Sequence, residues 1–219
     1  MEEYTFLHQT NIIVHVIFGC IALFLGVIIL VSKKGGKNHK RGGRVFLALL
    51  TMVVLTGLFG VLIFKRNMFL LVLTLLSGYN GYSGFRIIKS KSNRPKALDI
   101  FVSFLTLSSG IYFLYYFNSI GMMWSPIIIY STLGFLFLII LYDFLRYLIP
   151  QKTYGYLWLY EHIYKMIAAF TALLAAATGT IFPNYKPYSQ FLPSILGTVV
   201  TVVYIIYFYR KRKDETTFG

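Results

Sequence analysis

Cysteine occurs once in the chain, as Cys20 inside an apolar run. That excludes a disulfide framework within one molecule and any Cys-x-x-Cys metal or redox motif. Histidine is nearly as rare, with four in 219 residues. Only seven residues are acidic, and charged residues of both signs make up 13% of the chain. A soluble domain carries about 25%. The chain starts Met1-Glu2-Glu3-Tyr4, an acidic start, and lacks both the basic n-region and the small-residue cleavage site of a secretory signal peptide. The first apolar run is therefore expected to stay as a helix.

What fills the chain instead is apolar. Hydrophobic residues make up 57% and aromatics 18%, with 20 Phe and 18 Tyr. Mean hydropathy is +0.68. Seven apolar stretches run at roughly 11–32, 45–64, 67–88, 98–117, 126–149, 158–182 and 191–209. Each is about 20 residues, the length an α-helix needs to cross about 30 Å of hydrocarbon. They are apolar all round, whereas barrel strands alternate. The expectation is one all-α domain over 1–219, a seven-helix transmembrane bundle with no room for a sizeable soluble domain. The tightest junction joins 45–64 to 67–88 through Lys65-Arg66, whose two charges argue against one continuous helix.

Net charge is +14. It does not point to nucleic acid, because the basic residues sit in short loops between apolar spans. With seven spans, 17 of the 21 Lys and Arg fall on one side. Loop 33–44 carries Lys33, Lys34, Lys37, Lys40, Arg41 and Arg44. The other side holds Lys65, Arg66 and Lys186, and Lys165 lies within the sixth span. The positive-inside rule then puts the N-terminus outside and the C-terminus in the cytoplasm.

Ionisable groups inside a span are costly and invite a functional reading. His15 shares a helix face with Gly19, Ala22 and Gly26, so it should point into the bundle. It reads either as hydrogen-bonded to a neighbouring helix or as a ligand or proton-transfer group. Asn80 sits in the most polar span, among Ser77, Gly78, Gly81 and Gly84. It could line a pocket with His15 or act as interhelical glue. Glu161 precedes Lys165 by four residues, the favourable order for an ion pair. Asp99 and Asp143 lie near span ends, as interfacial partners for nearby Arg or Lys. The prolines 126, 183, 187 and 193 fall at or near span ends, where they cap helices without breaking them. Ala168, Ala172, Ala176 and Thr180 form a small-residue stripe suited to tight packing.

The seven-span topology limits metal and haem chemistry. His15 lies about 6 Å from the outer end of its span, and His162 is similarly close to the inner end of another. They differ in depth by roughly 18 Å and cannot share one haem iron. His39 and His162, with Glu161 or Asp143, could instead form a His/carboxylate metal site at the cytoplasmic face. The Gly- and Lys-rich loop 33–44 suits anionic head groups, but its spacing is not that of a Walker loop.

His15 with Gly19 four residues on, then Lys34, Gly35, Gly36, His39, Gly43 and Arg44, resembles a bacterial membrane-protein family, domain of unknown function 2306. Gly84-Phe85-Arg86 and the stretch with His162 and Met166 are similar in kind. The resemblance implies a multi-pass protein of the bacterial cytoplasmic membrane and no established activity. The zinc-dependent adiponectin-receptor and ceramidase group needs a late His-x3-His pair, and only His162 is late here.

Three functions compete. The leading one is a binding or accessory membrane protein that holds a lipid, quinone or partner complex, motivated by the absence of a complete catalytic set. The second is a metal- or redox-cofactor-dependent membrane enzyme using His39, His162 and a carboxylate. The third is a small transporter or proton-coupled channel lined by His15 and Asn80, although it lacks the paired Gly/Pro helix breaks usual at such sites.

Overall fold

Polarity decides which helix occupies the middle. The computed structural model describes residues 2–64, 68–121 and 125–217. Among them are seven α-helices and no strand: α1 Glu2–Val31, α2 Lys37–Phe64, α3 Met68–Ser90, α4 Ala97–Ser119, α5 Pro126–Leu145, α6 Gln151–Ile181 and α7 Tyr188–Thr217. All but α3 are long and apolar enough to cross a membrane. Helix α3 has the length of α4 but carries Ser77, Asn80, Ser83 and Arg86. It packs against α2, α4, α5 and, most extensively, α6. Those neighbours bury Ser77, Asn80 and Ser83. Polar side chains facing lipid would go unpaired, so the bundle screens them with its more apolar helices. Phe24, Leu62, Leu138 and Val203 are exposed on the outside. The chain is a multi-pass helical membrane protein.

The helices outrun the apolar stretches. Helices α1, α2, α6 and α7 have 28 to 31 residues, more than a bilayer crossing needs. Helix α2 starts at Lys37, so much of the expected basic loop is its first turns. Of the four loop glycines, only Gly35 takes a positive φ, of 72°. Gly42 is helical and lies beneath Ile29 of α1, where a Cβ would come within 3.0 Å of Ile29 Cγ1. The Lys65-Arg66 turn lies outside the described residues.

Pro193 corrects the reading of prolines as end caps, because it sits inside α7. Lacking an N–H, it cannot bond the Ser189 carbonyl four residues back. The Thr178 hydroxyl of α6 donates to that carbonyl instead, at 2.5 Å.

Helix α6 is central, as its small residues suggest, but by a different face. Its tight seams are Ala169 against α3, where the Ser77 hydroxyl donates to the Ala169 carbonyl at 2.7 Å, and Thr171 against Gly197 of α7. Ala168 and Ala172 line an open cleft between α5 and α7.

Candidate functional site

Ion pairs need partners on facing helices, and here the facing surfaces re-sort the pairs expected along one helix. Lys165 is fully buried on α6 and donates to Asp143 Oδ1 of α5. Glu161 accepts from Arg146 Nη1 at 2.7 Å. The expected Glu161–Lys165 pair is therefore replaced by two pairs between α6 and the end of α5. One helical turn separates Glu161 from Lys165, but the nearest opposite charge for each stands on the neighbouring helix.

Three tyrosines close the network. Tyr79 of α3 donates to Asp143 Oδ2 at 2.7 Å and lies 3.1 Å from Ser103 Oγ of α4. Tyr142 donates to Glu161 Oε1 at 2.5 Å, and Tyr154 donates to Oε2 at 3.0 Å. Arg146 Nε stands 3.6 Å from Asp143, an ion-pair distance without a hydrogen bond. Two cations meet two carboxylates, and all four carboxylate oxygens accept a hydrogen bond, as a buried ionic cluster requires of its acceptors. Its chemistry is that of a clamp on α3, α4, α5 and α6. Asp143 is thus paired with Lys165 and Arg146, as expected of an aspartate beside basic residues, and it is buried.

A second cluster holds the entry to α4. Arg86 grips Asp99 with two bonds, Nε to Oδ1 at 2.7 Å and Nη2 to Oδ2 at 2.9 Å. Tyr82 donates to Asp99 Oδ1 at 2.8 Å. This fork-to-fork pair is the strong geometry for Arg and carboxylate.

These hydroxyl bonds shape a groove. Helices α2 and α4 stand apart, and α3 forms the floor between them. The groove has a volume of about 510 Å³ and includes Gly78, Gly81, Tyr79 and Tyr82. Both tyrosines tie their hydroxyls to carboxylates, so they give the groove mainly their rings. It runs along α2 from Arg44 to Leu58, about 21 Å at the helical rise. Among the described residues Arg44, at the end facing the basic loops, is the one charged residue that lines it.

The predicted site residues are dispersed. His15 is half-buried on α1, with Nδ1 2.9 Å from Thr56 Oγ1 of α2. It approaches α3 at the level of Thr74, beside Gly57. Asn80 lies six residues further along α3, about 9 Å, and donates to the Leu76 carbonyl of its own helix at 2.8 Å. Neither His15 nor Asn80 lines the α2–α3–α4 groove. Gly81 faces Leu50 of α2, whereas Ser77 and Gly84 face α6.

His162 shares a hydrogen bond with the Gly84 carbonyl at 3.0 Å. His39 is half-buried, and its Nδ1 has no partner. Glu161 and Asp143 are turned into the ionic network. Among the described residues no three His, Cys, Asp or Glu side chains converge on one point where a metal ion could sit. Of the basic loop residues, Lys34 is withdrawn from the surface. It donates to the Ile29 carbonyl at 3.0 Å and to the Leu30 carbonyl, capping α1, and its ammonium stands 4.5 Å from the Tyr204 ring centroid. Lys33, Lys37, Lys40, Arg41 and Arg44 stay exposed.

Sequence reasoning missed Tyr79, Tyr82, Tyr142 and Tyr154. With 18 Tyr in the chain, nothing in their spacing marks these four. The Asp143–Arg146 spacing of three residues was a usable signal.

No family model matches the chain, and no curated protein or solved structure matches it.

Proposed function

We propose that this protein is an anionic-lipid-binding membrane protein, and that the α2–α3–α4 groove is its binding site. One observation carries the reading: an apolar groove about 21 Å long ends at a single charged residue, Arg44. An acyl chain fits the tyrosine- and leucine-lined length, and a phosphate fits the guanidinium at its mouth. The volume is within the range of ligand pockets. Exposed Lys37, Lys40 and Arg41 stand on the same first turns of α2 and add attraction for an anionic head group.

The basic face is the cytoplasmic one in this reading, which puts the groove mouth in the inner leaflet of a bacterial cytoplasmic membrane. The motif resemblance to the bacterial family carries no activity with it, so the function rests on the groove.

Native mass spectrometry of delipidated protein titrated with phosphatidylglycerol or phosphatidylcholine tests this. Phosphatidylglycerol should be retained preferentially. Arg44→Ala should weaken it about fivefold, the worth of one basic residue near the surface. Ala48→Phe, which fills the groove from an exposed position, should abolish the preference. Equal retention of both lipids, untouched by either variant, rules the site out.

A further inference from the structure

A second opening lies between α5 and α7, floored by α6, with a volume of about 310 Å³. It occupies the half of the bundle away from the basic loops, because Gln190 is at the start of α7 and Ile128 to Phe135 begin α5. Among the described residues no Lys, Arg, Asp, Glu or His lines it. An uncharged lining suits an uncharged ligand.

Polar groups are nevertheless built into the wall. Gln190 is 6% exposed, and its Oε1 is sealed and without a partner. Among the described residues Nε2 makes no hydrogen bond either. The amide is held in place by Gly179 of α6, where a Cβ would come within 2.7 Å of Gln190 Cγ. The sealed oxygen without a partner is costly, and the unpartnered nitrogen is not sealed, so it is the end open to the cleft. The amide's complement is a group that donates and accepts, and a hydroxyl does both whichever way the amide is turned.

The serine and threonine hydroxyls divide into two sets. Ser131, Thr171, Thr198 and Thr201 donate to carbonyls of their own helices. Thr132 and Ser194 line the cleft and, among the described residues, make no side-chain hydrogen bond. Ser194 is one helical turn from Gln190, about 6 Å. These two are donors for acceptor oxygens placed close to the ligand's hydroxyl.

We propose that the α5–α7 cleft binds a diacylglycerol. Its free hydroxyl pairs with the Gln190 amide, its ester carbonyls accept from Ser194 and Thr132, and its chains run over Ala168, Ala172 and Leu76. The site uses none of the residues of the α2–α3–α4 groove and stands whether or not that groove binds lipid.

The test is binding of dioleoylglycerol to the purified full chain in phosphatidylcholine nanodiscs. Its acetyl-capped analogue, phosphatidylglycerol and a long-chain isoprenoid alcohol are the competitors. Dioleoylglycerol should bind about tenfold more tightly than the capped analogue, the effect of one hydrogen bond to a buried amide. Gln190→Leu should erase that difference, Ser194→Trp should block binding sterically, and Arg44→Ala should leave it unchanged. Equal binding of free and capped forms to the unmodified protein overturns the proposal. So does undiminished binding to Ser194→Trp, which holds even if Gln190→Leu fails to fold. Tighter binding of the isoprenoid alcohol than of dioleoylglycerol overturns the diacylglycerol assignment.

Discussion

Lys165 of α6 places its ammonium on the carboxylate of Asp143 in α5, and not on Glu161 one turn before it in its own helix. Helix α5 is thereby fastened to α6 at two levels, with Arg146 and Glu161 forming the second.

Removing one partner strands the other. Lys165→Met should cost up to about 3–5 kcal/mol, because buried Asp143 loses its hydrogen-bonded cation and keeps only Arg146 at 3.6 Å. The pair Asp143→Asn with Lys165→Met should recover most of that loss. Thermal unfolding in detergent measures both, and equal instability of the single and double variants refutes the clamp.

Tyr79→Phe keeps the ring that walls the groove and deletes the bond to Asp143. Stability should fall by about 1.5–3 kcal/mol, the range for a hydrogen bond to a charged group. Phosphatidylglycerol retention should match the unmodified protein. A lost lipid preference would mean that the hydroxyl itself contacts lipid.

His15 and Thr56 should behave as one structural pair. Each of His15→Ala and Thr56→Val should cost about 1 kcal/mol, and the double variant should cost less than their sum. Lipid binding should be unaffected by all three. A large effect of His15→Ala on binding with no change in stability would move His15 from packing into the site.

Helix α7 is seated on α6 through the absent side chain of Gly197, where a Cβ would come within 2.2 Å of Thr171 Cγ2. Gly197→Val should destabilise by about 1–3 kcal/mol through overpacking. Adding Thr171→Ala should return part of it, as read from the unfolding midpoint. No recovery would show that the strain lies elsewhere.

Orientation has its own test. In a Cys20→Ser background, Lys37→Cys should resist an impermeant maleimide on intact cells and react in inverted vesicles, and Lys186→Cys should do the reverse. The opposite pattern would place the groove mouth in the outer leaflet.

The number, type and order of the helices were legible in the sequence, because hydrophobic length is a property of each segment alone. The pairing of charges was not. Spacing along α6 brings Glu161 and Lys165 to one face, but which facing residue each meets depends on the rotation of α5, and linear spacing does not contain that rotation. The same holds for Asn80 and His15, both polar and inside spans, yet turned toward different neighbours. Pro193 was misread because a span end and a helix end differ by several residues when helices extend beyond the hydrocarbon. The groove escaped notice for a further reason: it is defined by two helices that fail to touch, and no residue pattern encodes a gap.

The central position of α3 also has a consequence for how the protein is made. Its Ser77 hydroxyl finds its acceptor on α6, which is synthesised only after α4 and α5. At about 5–20 residues per second, roughly 5–20 s pass between the emergence of α3 and the completion of α6. Throughout that interval the least apolar span has α2, then α4 and α5, but not its most extensive partner. The enclosure of α3 is therefore completed only when α6 arrives to sheathe it.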